Sequence, residues 1–329
     1  MKNYKRLSAD EREEISRQLA QKHSLSKIAK KLDRHISTIS REICSGSCNK
    51  YTYRAGKAQG RSARNASKRK KGKRRLNDEL QLKQYIYRKL RKKWSPRQIA
   101  KELKKDYPLN MNMRITPETI YSYLFVLPRG SLKKELLSCL RQNHKRRHKQ
   151  SRSVEKASKI KDMLSIEERP KEVEDRIIPG HWEGDLIMGK NNRSALGTLV
   201  ERMTRTTILV PVKSKEAEHV AKQFAKEIKK LPQQMKLTLT YDQGREMAKH
   251  KLFTKITGIK VYFAHPRSPW ERGTNENTNG LIRQFFPKGT DFTKISRREV
   301  KKVQNLLNGR PRAALDFQKP YEVFAQLIK

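Results

Sequence analysis

Three acidic residues stand where an acidic residue needs a reason. Asp185 lies inside the apolar run IIPGHWEGDLIMGK, Asp242 closes the run LTLTYD, and Glu276 sits in the polar centre of SPWERGTNENTNGLIRQFFPKGT, Ser268 to Thr290. A carboxylate within an apolar strand is expensive unless it is partnered or binds a cation. Three carboxylates from three separate elements have a use: they can hold two magnesium ions roughly 3.5–4 Å apart, with coordination positions left open to a phosphate. Such a site activates water or a sugar hydroxyl and stabilises a leaving oxygen. Taken singly, each aspartate reads as a strand-end cap or a turn. Taken together in a strongly basic chain, the three point to phosphoryl chemistry.

The elements that must position them follow from periodicity. The first run reads as a strand from about Trp182 to Met188, in which alternation puts Glu183, Asp185 and Ile187 on one side. Ser194 to Arg202 and Thr206 to Val212 are two more β-rich runs joined by a short turn, which suggests an antiparallel meander. A helix from about Lys215 to Leu231 carries one apolar stripe through Ala217, Val220, Ala221, Phe224 and Ile228. Strands at Leu237 to Asp242 and about Ile259 to Ala264 complete a mixed five-stranded sheet in an α/β domain. The crossover helix allows the strands bearing Asp185 and Asp242 to lie side by side and parallel. A helix from about Gly273 to Phe285 then brings Glu276 over their ends. On it Glu276, Asn279, Gly280 and Arg283 are spaced i, i+3, i+4, i+7 and share a face.

The composition names the partner class. The formal charge is +45, from 78 Lys+Arg against 33 Asp+Glu, and such an excess implies a polyanion, with nucleic acid the first candidate and an anionic membrane surface the second. No apolar run approaches the ~20 residues that span a bilayer, and the N-terminus shows no apolar signal region. No membrane partner and no small-molecule cofactor are expected. Cys44 and Cys48 are four apart but lack further ligands at zinc spacing, with Cys139 distant; His144 and His148 are also four apart, but inside HKRRHK, where the cations would repel a metal, and three unpaired cysteines suit a reducing cytoplasm. Residues 1–150 carry 42 basic and 12 acidic side chains, residues 151–329 carry 36 and 21, so the first half has the stronger electrostatic footprint.

That first half reads as two small all-α modules with basic connectors. Ser8 with Glu11 is a capping box opening a helix to about Lys22. SLSKIAKKL, Ser24 to Leu32, is followed by a short break and by Ser37, which can cap a helix bearing Ile39 and Ile43. This is helix-turn-helix spacing, and it turns Ser37, Thr38, Ser40 and Arg41 toward a major groove. SPRQIAKEL, Ser95 to Leu103, repeats the first motif, and Thr116-Pro117 opens its partner helix after a longer link. The expected domains are a helix-turn-helix domain at 1–48, a basic linker at 49–77 (with KRKKGKRR, Lys68 to Arg75), a second helix-turn-helix-like domain at 78–140, a basic and charged linker at 141–176 (with HKRRHKQSR, His144 to Arg152), and a catalytic core at 177–329. Glu183 reads as structural, and His181 and Trp182 as braces of their strand. Asn277, Asn279 and Arg283 are candidates for contact with DNA phosphate or sugar. In the tail, Leu315, Phe317, Val323, Phe324 and Leu327 are expected to pack on the domain, with Arg310 and Arg312 toward DNA.

GHWEGDLI (Gly180 to Ile187), YDQGREMAKH (Tyr241 to His250), Ser268 to Thr290, and the N-terminal LSADEREEI with SLSKIAKKLDRHISTISREI carry a resemblance. The chain resembles, nearly end to end, an insertion-sequence transposase of the IS-thirty family, a D-D-E enzyme with a ribonuclease-H-like, retroviral-integrase-type core. Thirty-three residues separate Asp242 from Glu276, the interval that the family keeps. The resemblance implies that Asp185, Asp242 and Glu276 are the catalytic, metal-binding triad. It implies two Mg2+ ions, with Mn2+ able to substitute. It implies binding to terminal inverted repeats and target DNA, cleavage by water that frees a 3′-OH, and strand transfer by direct attack of that 3′-OH, with a circular form of abutted repeats as an intermediate. A homo-oligomer on DNA, in a bacterial cytoplasm and held to the nucleoid through DNA, is the expected setting. A DNA-binding regulator with an inert core and a host nuclease of related fold are the competing readings. The intact triad speaks against the first, the duplicated helix-turn-helix against the second.

Overall fold

The computed structural model describes residues 6–45, 49–141, 160, 162–266 and 268–328. Contacts divide the chain into two compact units, one ending at Leu80 and one beginning at Gln81.

The first unit holds α1 (Ala9–Ala20), α2 (Leu25–Lys31), α3 (Ile36–Cys44) and α4 (Ala55–Asp78). The capping box forms: the Glu11 amide donates to Ser8 Oγ at 3.0 Å and the Ser8 amide to Glu11 Oε2 at 2.6 Å. Ser24 caps α2. The cap of α3 is one correction, because His35, not Ser37, takes that position. His35 has the extended backbone a cap needs, and its Nδ1 accepts from the Ser37 amide at 3.2 Å. Ile15, Ile28, Ala29, Ile39 and Ile43 form the core, and the small Ala29 lets α2 and α3 cross closely. Arg12 is buried and ties three helices together. Its Nε donates to Glu42 of α3 at 2.8 Å, and its Nη1 to Gln59 of α4 at 2.7 Å. The segment 49–77, expected as a linker, is mostly helix, and its start packs in this core through Tyr53 and Ala58. The side chains of Lys68 to Arg75 lie outside the described residues.

The second unit opens with α5 (Leu80–Arg91), α6 (Pro96–Asp106), α7 (Pro117–Val126) and α8 (Ser131–Ser138). Ser95 caps α6 in a capping box with Gln98, and Thr116 caps α7, each followed by proline at the first helical position. Ile86, Leu90, Ile99, Leu103, Ile120 and Leu124 are buried on the inward faces of these helices. The basic run His144 to Arg152 lies outside the described residues.

The sheet follows. Its strands are β1 (Leu164–Ser165), β2 (His181–Met188), β3 (Ala195–Glu201), β4 (Thr207–Val212), β5 (Thr238–Tyr241) and β6 (Lys260–Phe263), in the order β1-β6-β5-β2-β3-β4. The helices of this part are α9 (Glu172–Asp175), α10 (Ala217–Lys229), α11 (His250–Thr257), α12 (Gly273–Ile282), α13 (Arg297–Asn308) and α14 (Pro320–Leu327). The sheet has six strands rather than the expected five. The extra one, β1, has two residues, pairs parallel with β6, and lies in the segment expected as the 141–176 linker. Two residues are too few to show an alternating pattern.

β2 is central. It pairs antiparallel with β3 on one side and parallel with β5 on the other, as the crossover helix α10 requires. Trp182, Leu186 and Leu199 pack on one face with Val220, Phe224 and Ile228 of α10 and Phe253 of α11. Ile187, Leu196 and Leu209 pack on the other with Leu281 and Ile282 of α12 and Val300, Val303 and Leu307 of α13. Two glycines are needed on the α10 face. A Cβ on Gly184 would lie 2.7 Å from Cδ2 of Tyr241, and one on Gly197 would overlap the Phe224 ring. The result is a three-layer α/β/α core that puts Glu183, Asp185 and α12 on the same side of the sheet.

Candidate active site

The pairing of β2 decides where Asp185 sits. β5 accompanies β2 only from His181 to Glu183, whereas β3 accompanies it from Trp182 to Met188, with Asp185 opposite Thr198. Asp185 therefore lies just past the end of the parallel pairing. Asp242 follows the last residue of β5, Tyr241. The two aspartates come together over the open end between the strands.

Arg272, which ends a 3-10 turn (Pro269–Arg272) before α12, reaches both. Its Nη2 donates to Asp242 Oδ2 at 3.0 Å, and its Nη1 lies 3.8 Å from Asp185 Oδ1. The same Nη1 donates to the Gly184 carbonyl at 3.0 Å. Asp185 has two further partners. The Leu186 amide donates to its Oδ1 at 2.8 Å, and the Asn279 side-chain amide donates to its Oδ2 at 2.7 Å. The other side-chain atom of Asn279, Oδ1, is buried without a partner among the described residues.

Burial pushes the Asp185 carboxyl up to about 6, and the negative charges of Asp242 and Glu246 add to this while Arg272 opposes it. Glu246, four residues after Asp242, is itself raised, chiefly by burial. Neither Arg272 nor Glu246 was singled out from the sequence. The signal for Arg272 was there: it stands four residues before Glu276 and seven before Asn279, the spacing of a shared helical face.

Glu276 is exposed, one turn before Asn279 on α12, and no hydrogen bond or ion pair joins it to Asp185 or Asp242. Among the described residues, no three acidic, histidine or cysteine side chains are closed into a cluster that would hold a metal ion. The chemistry of the donors nevertheless fits cations. Two carboxylates already share one guanidinium, Asp185 is destabilised as an anion, and Asn279 Oδ1 is a buried oxygen with nothing to bind. These are oxygen donors of the kind hard divalent cations select.

The neighbours divide by role. Glu183 is fully buried; it accepts from Arg202 Nη1 and from the Asn275 amide, both at 2.7 Å, and so fastens β2 to α12. Trp182 donates its indole to the Met235 carbonyl at 2.8 Å, and His181 Nδ1 is 2.8 Å from Thr238 Oγ1. Burial, with Arg202 and Arg169 nearby, pushes the His181 imidazole down to about 4. Asn277 is exposed and accepts from Arg141 at 2.8 Å, and Arg283 donates to the Met188 carbonyl at 2.8 Å. Asn279 and Arg283 thus have partners within the protein. On α3, Ser37, Ser40 and Arg41 share a face away from the buried Ile39 and Ile43, with Thr38 beside them. Arg310 and Arg312, expected toward DNA, are largely buried.

Comparison with known proteins agrees with this architecture. A helix-turn-helix domain model matches residues 3–46, and an integrase core domain model matches residues 176–269. The core is therefore of the ribonuclease-H-like, divalent-metal-dependent nuclease type. The transposase for insertion sequence element IS1086 of Cupriavidus metallidurans is 42% identical over 326 residues, covering 99% of this chain and 96% of that one. The transposase InsI for insertion sequence element IS30A of Escherichia coli is 41% identical, covering 96% of this chain and 82% of its own. The transposase for insertion sequence element IS4351 of Bacteroides fragilis is 34% identical, covering 98% and 97%. Full-length identity at this level, with a reader domain ahead of an integrase core, places the family: the chain belongs to the IS30 family of insertion-sequence transposases.

Proposed function

We propose that the protein catalyses DNA transposition through Asp185, Asp242 and Glu276, which hold two divalent cations, Mg2+ or in its place Mn2+, at the open end of β2 and β5. The observation that carries this reading is the single guanidinium of Arg272 shared between Asp185 and Asp242, which marks a place for positive charge between carboxylates from two strands. The cations, when bound, supply Lewis acidity toward the phosphoryl and leaving oxygens.

The chain's own residues do the rest. Asp185 is held by the Leu186 amide and by Asn279, so its carboxylate keeps one orientation. Asp185, Asp242 and Glu276 would hold the cations, and Arg272, which lies between the two aspartates, would then be able to donate to a phosphate oxygen. Glu276, exposed on the same helix face, completes the donor set without having to leave a buried partner. In the first reaction water attacks phosphorus at the element's end and the P–O3′ bond breaks, leaving a free 3′-OH. In the second that 3′-OH attacks a phosphodiester of the target, forming one P–O bond as another breaks. α3 reads duplex DNA through Ser37, Thr38, Ser40 and Arg41, and Asn277 and Arg283 border the path of the strand. The work divides among a reader unit that takes in α4 and ends at Leu80, a helical module of α5 to α8, and a sheet core that includes β1, with terminal inverted repeats and target DNA as partners of a homo-oligomer.

The test is a nicking and strand-transfer assay with a terminal-repeat substrate. Glu276→Gln should lose cleavage while keeping end binding. Cation-dependent nicking retained by that variant would remove Glu276 from the site.

A further inference from the structure

On the side of α12 turned away from the aspartates lies a cavity of 540 Å³. Five arginines line it: Arg141, Arg176, Arg205, Arg310 and Arg312. Among the described residues no acidic side chain lines it and none of the five arginines is in an ion pair. Its volume falls in the range of ligand sites, about 300–1,000 Å³.

Two of the arginines are deeply buried, Arg310 at 3% and Arg312 at 8% exposure. Their partners are all neutral. Arg310 Nε donates to Gln98 Oε1 at 2.9 Å and Nη1 to Gln284 Oε1 at 2.8 Å. Arg312 Nη2 donates to the Leu307 carbonyl at 3.1 Å, and its Nε is buried with no partner. Arg205 donates from Nη1 to Thr274 Oγ1 at 2.7 Å, and its Nε also has none. Buried cations without anions are costly, and a buried donor without an acceptor costs its full desolvation. Burial pushes Arg310 down to about 9 and Arg312 down to about 10, with repulsion from neighbouring arginines adding to it. Both remain cationic near neutral pH. The cost has one simple resolution, an anion with several oxygens in the cavity. Guanidinium groups match phosphate oxygens with paired donors.

We propose that this arginine-lined cavity binds a phosphate group, supplied either by a DNA backbone or by a free oligophosphate. The cavity and the aspartate site share α12 as a common wall, Thr274, Asn277 and Thr278 facing one and Asn279 the other. A phosphate held here is anchored one helix-width from Asp185 without touching it. The DNA source rests on the transposase reading; the free-phosphate source does not.

The experiment uses the full-length protein without divalent cation, so no cleavage enters the readout. In one arm the melting temperature is followed against tripolyphosphate, with chloride at matched ionic strength as control. In the other, terminal-repeat duplex binding is measured against salt concentration. Arg176→Gln is the primary variant, since Arg176 is exposed at the rim and its loss should leave the fold intact; Arg312→Gln is the second. If DNA supplies the phosphate, Arg176→Gln makes the slope of log K against log salt shallower by about one, and tripolyphosphate competes with DNA. If a free oligophosphate is the ligand, wild type shows a saturable rise in melting temperature that Arg176→Gln loses, with its DNA slope unchanged. Wild-type behaviour of Arg176→Gln in both arms overturns the proposal. Glu276→Gln should match wild type throughout, so failure of the catalytic reading and failure of this one are told apart.

Discussion

Asn279 donates its side-chain amide to Asp185 at 2.7 Å while its own Oδ1 is buried with no partner. One side chain thus orients a carboxylate and keeps a spare oxygen beside it. Outer partners of metal-binding carboxylates commonly hold about 10–100-fold of metal affinity or activity. Asn279→Ala should therefore raise the Mg2+ concentration for half-maximal nicking by about that factor, with end binding unchanged. A Mg2+ titration of nicking checks this, and an unchanged midpoint would strip Asn279 of a positioning role.

Asp185 carries the pH dependence. Its folded carboxyl is raised to about 6 from an ordinary 3.8. The native state therefore holds its proton over that interval where the unfolded chain has released it, and stability of the cation-free protein falls as pH rises from about 4 to about 6. Asp185→Asn should remove this fall and stabilise the protein at pH 7. One pKa unit corresponds to about 1.4 kcal/mol, and discounting for partial solvent screening leaves a gain on the order of 1–2 kcal/mol. Urea unfolding at pH 4 and pH 7 measures it; a variant less stable than wild type at pH 7 would contradict it.

Glu183 makes the opposite case. It is fully buried between Arg202 and the Asn275 amide, so removing it leaves a buried guanidinium without its anion. Glu183→Ala should cost about 3–5 kcal/mol, the usual range for breaking a buried pair by deleting one partner. Chemical denaturation checks the loss, and a cost below about 1 kcal/mol would mean the pair is not what fastens β2 to α12.

On α3, Arg41 is exposed on the face opposite Ile39 and Ile43. If it contacts a phosphate, Arg41→Ala should weaken binding to all duplexes alike and reduce the salt slope by about one. If it reads a base, the loss should be confined to the terminal repeat. Binding to repeat and random duplexes across a salt series separates these outcomes, and no effect on either would place α3 away from DNA.

Much of this molecule was legible from periodicity. Ser24, Ser95 and Thr116 each open a helix, because a side-chain oxygen before an amphipathic run satisfies free amides. The strands bearing Asp185 and Asp242 lie parallel because a single helix crosses between them. What escaped has physical reasons too. β1 is too short to alternate. α4 has few apolar residues, so its composition resembles a linker. Histidine is a weaker sequence signal for a cap than the serine two residues on, and α3 uses it. Among 78 basic residues the spacing of Arg272 to Glu276 and Asn279 is a faint signal, and nothing in the sequence buries Arg310; only tertiary packing shows that the first spans two aspartates and that the second is enclosed among other arginines.

The pairing of β2 carries a consequence for sequence length. The strand is clamped by β5 up to Glu183 and by β3 from Trp182 to Met188. A single residue inserted between Glu183 and Asp185 would turn the aspartate into the packed layer occupied by Trp182 and Leu186 and turn Leu186 out of that layer to the opposite face. Drift in this protein can therefore change side chains around the site far more freely than it can change the count of residues within β2. Among diverging copies, gaps and insertions should gather in the connections flanking that strand and be missing from its eight positions.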